Sequence, residues 1–229
     1  MKRKILLLHG ALGSREQFLG LKSYLASTFE VLDFNFQGHG DRVSIENFSI
    51  DLFTQNVIEF LRVQKIEKTL IFGYSMGGYV ALNLANHSPS LVSKIMTLGT
   101  KFDWSKESSK KEIKMLNPSL ILEKVPAYAE ALKVVHSANS WKDVVNKTAQ
   151  MMLNMGNGER LEDVILESIP HEVLIGIGNK DRMVSIEESD RCAKLLPNGN
   201  LKVIDNFVHP LDKIDAKELA TIIEEFMST

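Results

Sequence analysis

Cysteine is almost absent from this sequence of 229 residues, which contains one, Cys192. A single thiol excludes an internal disulfide and a metal cluster built on thiolates, and it agrees with a reducing compartment. Long apolar runs are also missing: none approaches the roughly 18 residues that a membrane span needs. The run at residues 5–8 follows basic residues, but it is too short for the core of a signal peptide. We therefore expect a cytoplasmic protein with no membrane span.

Long runs of one charge are missing as well. Lysine and arginine total 27 against 29 aspartate and glutamate residues, which gives a formal net charge of −2. This balance argues against a tail that binds nucleic acid, so we expect no nucleic-acid partner. The oligomeric state is left open by the sequence.

Short apolar runs alternate with longer amphipathic ones, a pattern that predicts an α/β fold with a mostly parallel sheet and helices on both faces. Six strands are predicted, at residues 4–8, 31–36, 69–73, 94–98, 173–178 and 201–204. Apolar spacings of three and four predict helices at residues 14–27, 50–63, 76–86, 185–196 and 216–227.

The alternation stops between residues 101 and 168, where the sequence predicts a mostly helical block. We expect an α/β core over residues 1–100 and 169–229, with residues 101–168 as a helical insertion. Such a block lies over the ligand-binding edge of an open sheet, so it acts either as a lid or as plain packing. Its large apolar residues either line an acyl pocket or belong to a core: Trp104, Tyr128, Trp141, Met151, Met152 and Met155.

The clearest chemical signal is Gly73-Tyr74-Ser75-Met76-Gly77-Gly78, between a predicted strand and a predicted helix. This order is typical of a nucleophile elbow, a strained turn that projects the serine hydroxyl into a cleft. The flanking glycines are needed because side chains there would collide with neighbouring backbone. A glycine-rich turn without catalysis is the alternative, but we expect Ser75 to be a nucleophile.

A serine hydroxyl needs a neighbouring base to remove its proton. Among the six histidines, His209 follows the last predicted strand in a short loop ahead of the last helix, and the other five are expected in structural roles. The imidazole in turn needs a carboxylate on its second nitrogen. Asp181, in the turn after the fifth predicted strand, is the preferred acid, and Asp103, after the fourth, is the rival.

Two backbone amides should complete the site by stabilising an oxyanion. One is expected from Met76, directly after the nucleophile. The other is expected from Ala11, in the loop His9-Gly10-Ala11-Leu12-Gly13-Ser14 after the first strand. The loss of one such donor typically costs ~3–4 kcal/mol of transition-state stabilisation.

With these parts in place, the sequence closely resembles the α/β-hydrolase superfamily along its full length. Five motifs agree in order: His9-Gly10, Asn35-Phe36-Gln37-Gly38-His39-Gly40, the elbow from Gly73 to Gly78, Gly178-Asn179-Lys180-Asp181 with Val184, and His209. The chain differs in starting at the superfamily's third strand, in Asn35 for the common aspartate, and in Val208 for the glycine before the histidine. The resemblance implies a Ser75–Asp181–His209 triad and no metal or organic cofactor.

A serine at the elbow implies an acyl-enzyme route with a small acyl substrate, which is an ester, a thioester or an activated amide. Two other functions stay open at this point. One is an enzyme of the same superfamily that cleaves carbon–carbon bonds or acts as a lyase of the menaquinone pathway. The motifs that begin at His9 and Gly73 also resemble those of that lyase. The other is a non-catalytic ligand receptor on the same scaffold.

Overall fold

A computed structural model describes residues 2–228 of the chain. These residues form a six-stranded sheet in the order β2-β1-β3-β4-β5-β6, in which every neighbouring pair is parallel. The strands are β1 Lys4–Leu8, β2 Glu30–Asp33, β3 Thr69–Tyr74, β4 Val92–Leu98, β5 Glu172–Gly178 and β6 Asn198–Ile204. The predicted fold class, a mostly parallel sheet of about six strands flanked by helices, is confirmed.

Helices connect these strands. Within the described residues they are α1 Leu19–Leu25, α2 Ile50–Val63, α3 Met76–His87, α4 Lys106–Glu112, α5 Pro118–Lys124, α6 Pro126–Val135, α7 Trp141–Gly156, α8 Asp163–Glu167, α9 Ile186–Leu195 and α10 Ala216–Ser228. The predicted helix over residues 14–27 is instead a 3₁₀ turn, Arg15–Phe18, that leads into α1. Tightening of a helix start in this way is common.

Strand β1 shows how the sheet organises two cores. Its residues Ile5, Leu6, Leu7 and Leu8 have no exposed surface. Because successive side chains of a strand point to opposite faces, Leu6 and Leu8 pack in the core under α2 and α3, whereas Ile5 and Leu7 pack under α1 and α10. Burial on both faces explains why the strands read as continuous apolar runs.

Strand β2 ends at Asp33, three residues before the predicted end at position 36. The chain leaves the sheet because the next polar groups bond elsewhere: Asn35 accepts the Arg15 amide at 2.8 Å, and the Phe36 amide donates to His9 Nε2 at 3.2 Å. Phe34 and Phe36 are still buried, with ring centroids 5.3 Å apart. Ring packing, not strand pairing, accounts for this part of the apolar run.

The segment between β4 and β5 is helical, with α4 to α8 and no strand among its described residues. Its longest helix, α7, packs against α4 and places Met151 and Met155 in the core that α2 and α3 cover. The boundaries at 101 and 168 and the action of the insertion as a lid stay predictions. Across residues 2–228, no helix is both long and apolar enough to cross a membrane.

Candidate active site

The residues proposed from the sequence lie together at the carboxyl edge of the sheet. Ser75 directly follows β3, Asp181 follows β5, His209 follows β6 and Ala11 follows β1. The strand order reverses between β1 and β3, and open α/β sheets bind ligands at such a reversal. The topology therefore brings together side chains that are far apart in the chain.

The turn at Ser75 is strained. Its φ of 51° and ψ of −117° lie in a region that residues other than glycine rarely adopt. Two hydrogen bonds hold it: the Ser75 amide donates to the Leu98 carbonyl at 2.8 Å, and the Thr100 hydroxyl donates to the Ser75 carbonyl at 2.9 Å. A Cβ on Gly73 would lie 2.5 Å from the Gly77 carbonyl group, so the turn requires glycine there.

Ser75, His209 and Asp181 form a continuous chain of contacts. Ser75 Oγ lies 3.3 Å from His209 Nε2, and His209 Nδ1 lies 2.8 Å from Asp181 Oδ2. The other carboxylate oxygen, Oδ1, accepts the amides of Met183 at 2.8 Å and Val184 at 3.0 Å. Because the carboxylate accepts at Nδ1, the neutral imidazole carries its proton there and leaves Nε2 free to accept from the serine.

The environment of Asp181 favours its ionised form. Burial alone would raise the pKa of this carboxyl, whose side chain is 2% exposed. The hydrogen bond and charge of His209, together with the Val184 and Met183 amides, outweigh burial and hold the pKa below its ordinary value. The carboxylate therefore stays charged and fixed against the imidazole.

The rival acid, Asp103, does not take this place. Asp103 is exposed in the turn after β4, and its amide donates to Glu188 Oε1 at 3.2 Å. The carboxylate that contacts the His209 ring is that of Asp181.

Two residues that sequence reasoning missed also shape the site. Gly99, with φ of 61°, lies so close to the acid and base that a Cβ would be 3.2 Å from Asp181 Oδ2 and 3.3 Å from His209 Nδ1. Tyr74 donates its hydroxyl to the His209 carbonyl at 2.7 Å. A glycine immediately after a strand is the sequence signal that was available for Gly99, whereas nothing local pointed to the tyrosine.

Ala11 and Met76 line the same cavity as Ser75 and His209. Met76 is the first residue of α3, so its amide has no carbonyl partner within the helix. Leu12, after Ala11, has φ of 57°, and the Gly13 amide closes the turn on the Gly10 carbonyl at 3.2 Å. The roles of Ala11 and Met76 as oxyanion donors stay predictions.

The cavity beside Ser75 measures about 500 Å³, including a part open to solvent. Its walls are mainly apolar and combine core and insertion residues: Ile50, Tyr79, Trp104, Met151, Met152 and Met155. Two of the six residues for which pocket lining and core packing were the alternatives, Trp141 and Tyr128, do not line this cavity. Trp141 packs in a small core within the insertion, and Tyr128 is 44% exposed.

Comparison with known proteins agrees with this architecture. The family model described as the α/β-hydrolase fold matches residues 4–117. This chain belongs to the α/β-hydrolase superfamily. It is 22% identical to a monoacylglycerol lipase from Bos taurus, over 100% of this chain and 76% of that protein.

Solved structures show the same fold at low identity. A thermophilic esterase from Thermogutta terrifontis, solved with malate bound, has a TM-score of 0.79 at 18% identity, covering 100% of this chain and 90% of its own. A 2-hydroxy-6-oxo-6-phenylhexa-2,4-dienoate hydrolase from Rhodococcus has a TM-score of 0.80 at 21% identity, covering 100% and 91%. These likenesses establish the fold of this α/β-hydrolase.

Three further histidines form a buried cluster next to the site: His9, His39 and His136, none with exposed surface. Ring centroids lie 5.2 Å apart for His9 and His39, and 5.6 Å apart for His39 and His136. Burial is the main cause that lowers their pKa values, for His9 to about 4. These imidazoles are therefore neutral near pH 7 and have structural contacts with the backbone.

Among residues 2–228, no group of three or more His, Cys, Asp or Glu side chains is arranged to hold a metal ion.

Proposed function

We propose that the protein is a serine hydrolase that cleaves an ester, a thioester or an activated amide of a small acyl substrate. The observation that carries the proposal is the contact chain from Ser75 Oγ to His209 Nε2 at 3.3 Å and from His209 Nδ1 to Asp181 at 2.8 Å. Such a chain supplies a nucleophile, a base and an orienting acid in the order that acyl transfer requires. The esterase and lipase names among the relatives support it.

In the proposed acylation step, Ser75 Oγ bonds to the substrate carbonyl carbon while His209 Nε2 takes the hydroxyl proton. The carbonyl electrons move to the oxygen, which the amides of Ala11 and Met76 stabilise. The tetrahedral intermediate then collapses, the bond to the leaving group breaks, and the imidazolium gives its proton to that group. Asp181 stays ionised and stabilises the imidazolium.

Deacylation repeats the same steps with water as the nucleophile. His209 takes a proton from water as the oxygen attacks the acyl carbon, and it then returns a proton to Ser75 Oγ as the acyl group leaves. The products are a carboxylic acid and the regenerated enzyme.

The cavity supports an uncharged, apolar acyl group. Three methionines of α7 form one wall, and methionine adapts to irregular apolar ligands. Lys101 also lines the cavity and lies 3.6 Å from Glu112 and 3.7 Å from Glu188, so two carboxylates already neutralise it. An anionic substrate would have to compete with them.

The test is labelling with a fluorophosphonate probe, with Ser75→Ala as the control. We expect wild type to be labelled and the variant not. A panel of p-nitrophenyl esters and thioesters of increasing acyl length then measures kcat/KM, which should peak at short or medium chains. Absence of labelling in well-folded wild type would contradict the proposal and favour a non-catalytic receptor.

A further inference from the structure

His136 joins the helical insertion to two loops of the core. It follows α6, and its ring is fully buried. The Gly40 amide donates to His136 Nδ1 at 3.0 Å, and His136 Nε2 lies 3.1 Å from the Leu12 carbonyl. Leu12 belongs to the loop of Ala11, while Gly40 belongs to the turn after β2. One side chain of the insertion thus touches both loops.

These partners fix the protonation of the ring. A backbone amide can only donate, so His136 Nδ1 must be an unprotonated acceptor; a carbonyl can only accept, so Nε2 must carry the proton. Both ring nitrogens of His136 are therefore committed to the backbone. The lowered pKa of this buried group agrees with a neutral ring.

The Leu12 conformation needs such support. A bulky residue at φ of 57° is strained and persists only where its surroundings over-determine it. The side chain of Leu12 packs against the small core of the insertion, which contains Leu132 and Trp141. Its carbonyl accepts the hydrogen bond that His136 Nε2–H donates. The insertion thus holds this residue by both its side chain and its backbone.

We propose that His136 is a positioning residue for the oxyanion hole, whose Nε2–H to the Leu12 carbonyl keeps the preceding Ala11 amide at the cavity beside Ser75. This inference rests on the proposed function for its catalytic consequence. It makes the insertion part of the catalytic apparatus even where no insertion residue reacts with substrate. A displaced oxyanion donor raises the barrier to acyl transfer without changing ground-state binding, so kcat should change and KM should not.

A matched pair of variants tests the inference. The amide of His136→Gln reaches the former Nε2 position and can donate to Leu12, whereas that of His136→Asn reaches only the Nδ1 position and can accept from Gly40. We expect His136→Asn to lower kcat per fluorophosphonate-titrated site by roughly 10- to 100-fold with unchanged KM. His136→Gln should stay within about threefold of wild type. Circular dichroism and Tm report folding.

The control is His171→Asn. His171 Nε2 lies 2.9 Å from the Pro89 carbonyl, an equivalent ring-to-backbone bond beside the amino end of β5, far from Ser75. This variant should keep wild-type kcat. Equal kcat per titrated site in both His136 variants and wild type, with only Tm lowered, would show a purely structural role and overturn the proposal. Equal losses in both variants would overturn it too, because the Leu12 bond would not be the cause.

A second readout separates this inference from the proposed function. Hydrogen exchange of residues 9–14 should be faster in His136→Asn than in His136→Gln, wild type or His171→Asn, whether or not the protein turns over an ester. Equal exchange in all four proteins would refute the positioning role. Loss of fluorophosphonate labelling in wild type, with the exchange difference present, would refute only the hydrolase proposal.

Discussion

A buried cluster of three histidines and the single His209 lie near the carboxyl edge of the sheet, and their hydrogen-bond partners differ. The buried cluster of His9, His39 and His136 contacts the backbone: His9 Nε2 accepts the Phe36 amide at 3.2 Å, and its Nδ1 lies 2.9 Å from the Gly10 carbonyl. His209 instead has a carboxylate at Nδ1 and a hydroxyl at Nε2.

The comparison shows what separates a structural imidazole from one that can transfer protons. His9 and His136 have both nitrogens bonded to groups that cannot change their protonation, so a gained proton would break a backbone hydrogen bond. At Nε2 of His209, the Ser75 hydroxyl can give a proton. At Nδ1, the Asp181 carboxylate stabilises the positive charge that results. The residue type is the same, and the hydrogen-bond partners decide its use.

The largest expected effect comes from removing the Ser75 hydroxyl, which gives its proton to His209. Ser75→Ala should lower kcat on an activated ester by about 10⁶-fold, because no other hydroxyl replaces the nucleophile. Stability should change by less than ~1 kcal/mol, because the variant keeps the backbone bonds of the turn. Steady-state kinetics with circular dichroism checks this. Turnover close to wild type in the folded variant would remove Ser75 from the mechanism.

The next effect comes from changing the acid partner of His209. Asp181→Asn keeps the shape of the side chain but can donate to Nδ1, which stabilises the wrong tautomer and should lower kcat by up to ~10⁴-fold. Asp103→Asn is the matched control at the exposed rival position and should leave kcat nearly unchanged. If the two variants ranked the other way, the acid of the triad would have to be reassigned to the turn after β4.

The sequence predicted the parts of the site that depend on local pattern. The order Ser75, Asp181, His209 and the strand before each residue could be read from apolar runs and turns, because parallel strands bring their carboxyl ends to one edge. The helix over Ile50–Val63 was predicted with its observed bounds. Strand β2 was predicted too long, since burial of Phe34 and Phe36 by ring packing looks the same in sequence as burial in a sheet.

Contacts between distant segments could not be predicted in this way. The partners of His136 lie 124 and 96 residues away along the chain, at Leu12 and Gly40. No local period encodes such pairs, because they depend on how the insertion packs on the core. The same limit applies to Trp141 and Tyr128, whose helices were expected but whose faces could not be assigned.

A smaller effect should appear in the stability of the protein at acid pH, because of its buried histidine cluster. Burial lowers the pKa of His9 from 6.5 to about 4, so between these values the unfolded chain binds a proton that the native chain excludes. Stability is therefore fully present above pH 6.5 and falls as pH decreases toward 4, by about 3 kcal/mol at most for this one group. Thermal or urea unfolding at pH 7.5, 6, 5 and 4.5 measures the slope.

The variant His9→Asn provides the control for this slope. It removes the titrating group while its amide can still donate to the Gly10 carbonyl, so the variant should be less stable at pH 7.5 but lose less on acidification. The pKa values of His39 and His136 are also lowered, so these two residues should account for part of the remaining slope. An identical slope in wild type and His9→Asn would mean that His9 is not protonated on unfolding.

The smallest expected effect concerns how the His209 backbone is held. Tyr74 donates to the His209 carbonyl at 2.7 Å, and its buried hydroxyl stays protonated because burial raises the pKa of the tyrosine. Tyr74→Phe removes one oxygen and should cost about 1 kcal/mol of stability. We expect kcat to fall only a few-fold, because the Asp181 carboxylate still fixes the imidazole at Nδ1. A loss as large as that of Asp181→Asn would show that the His209 backbone, rather than the ring's hydrogen bond to the acid, sets the position of the base.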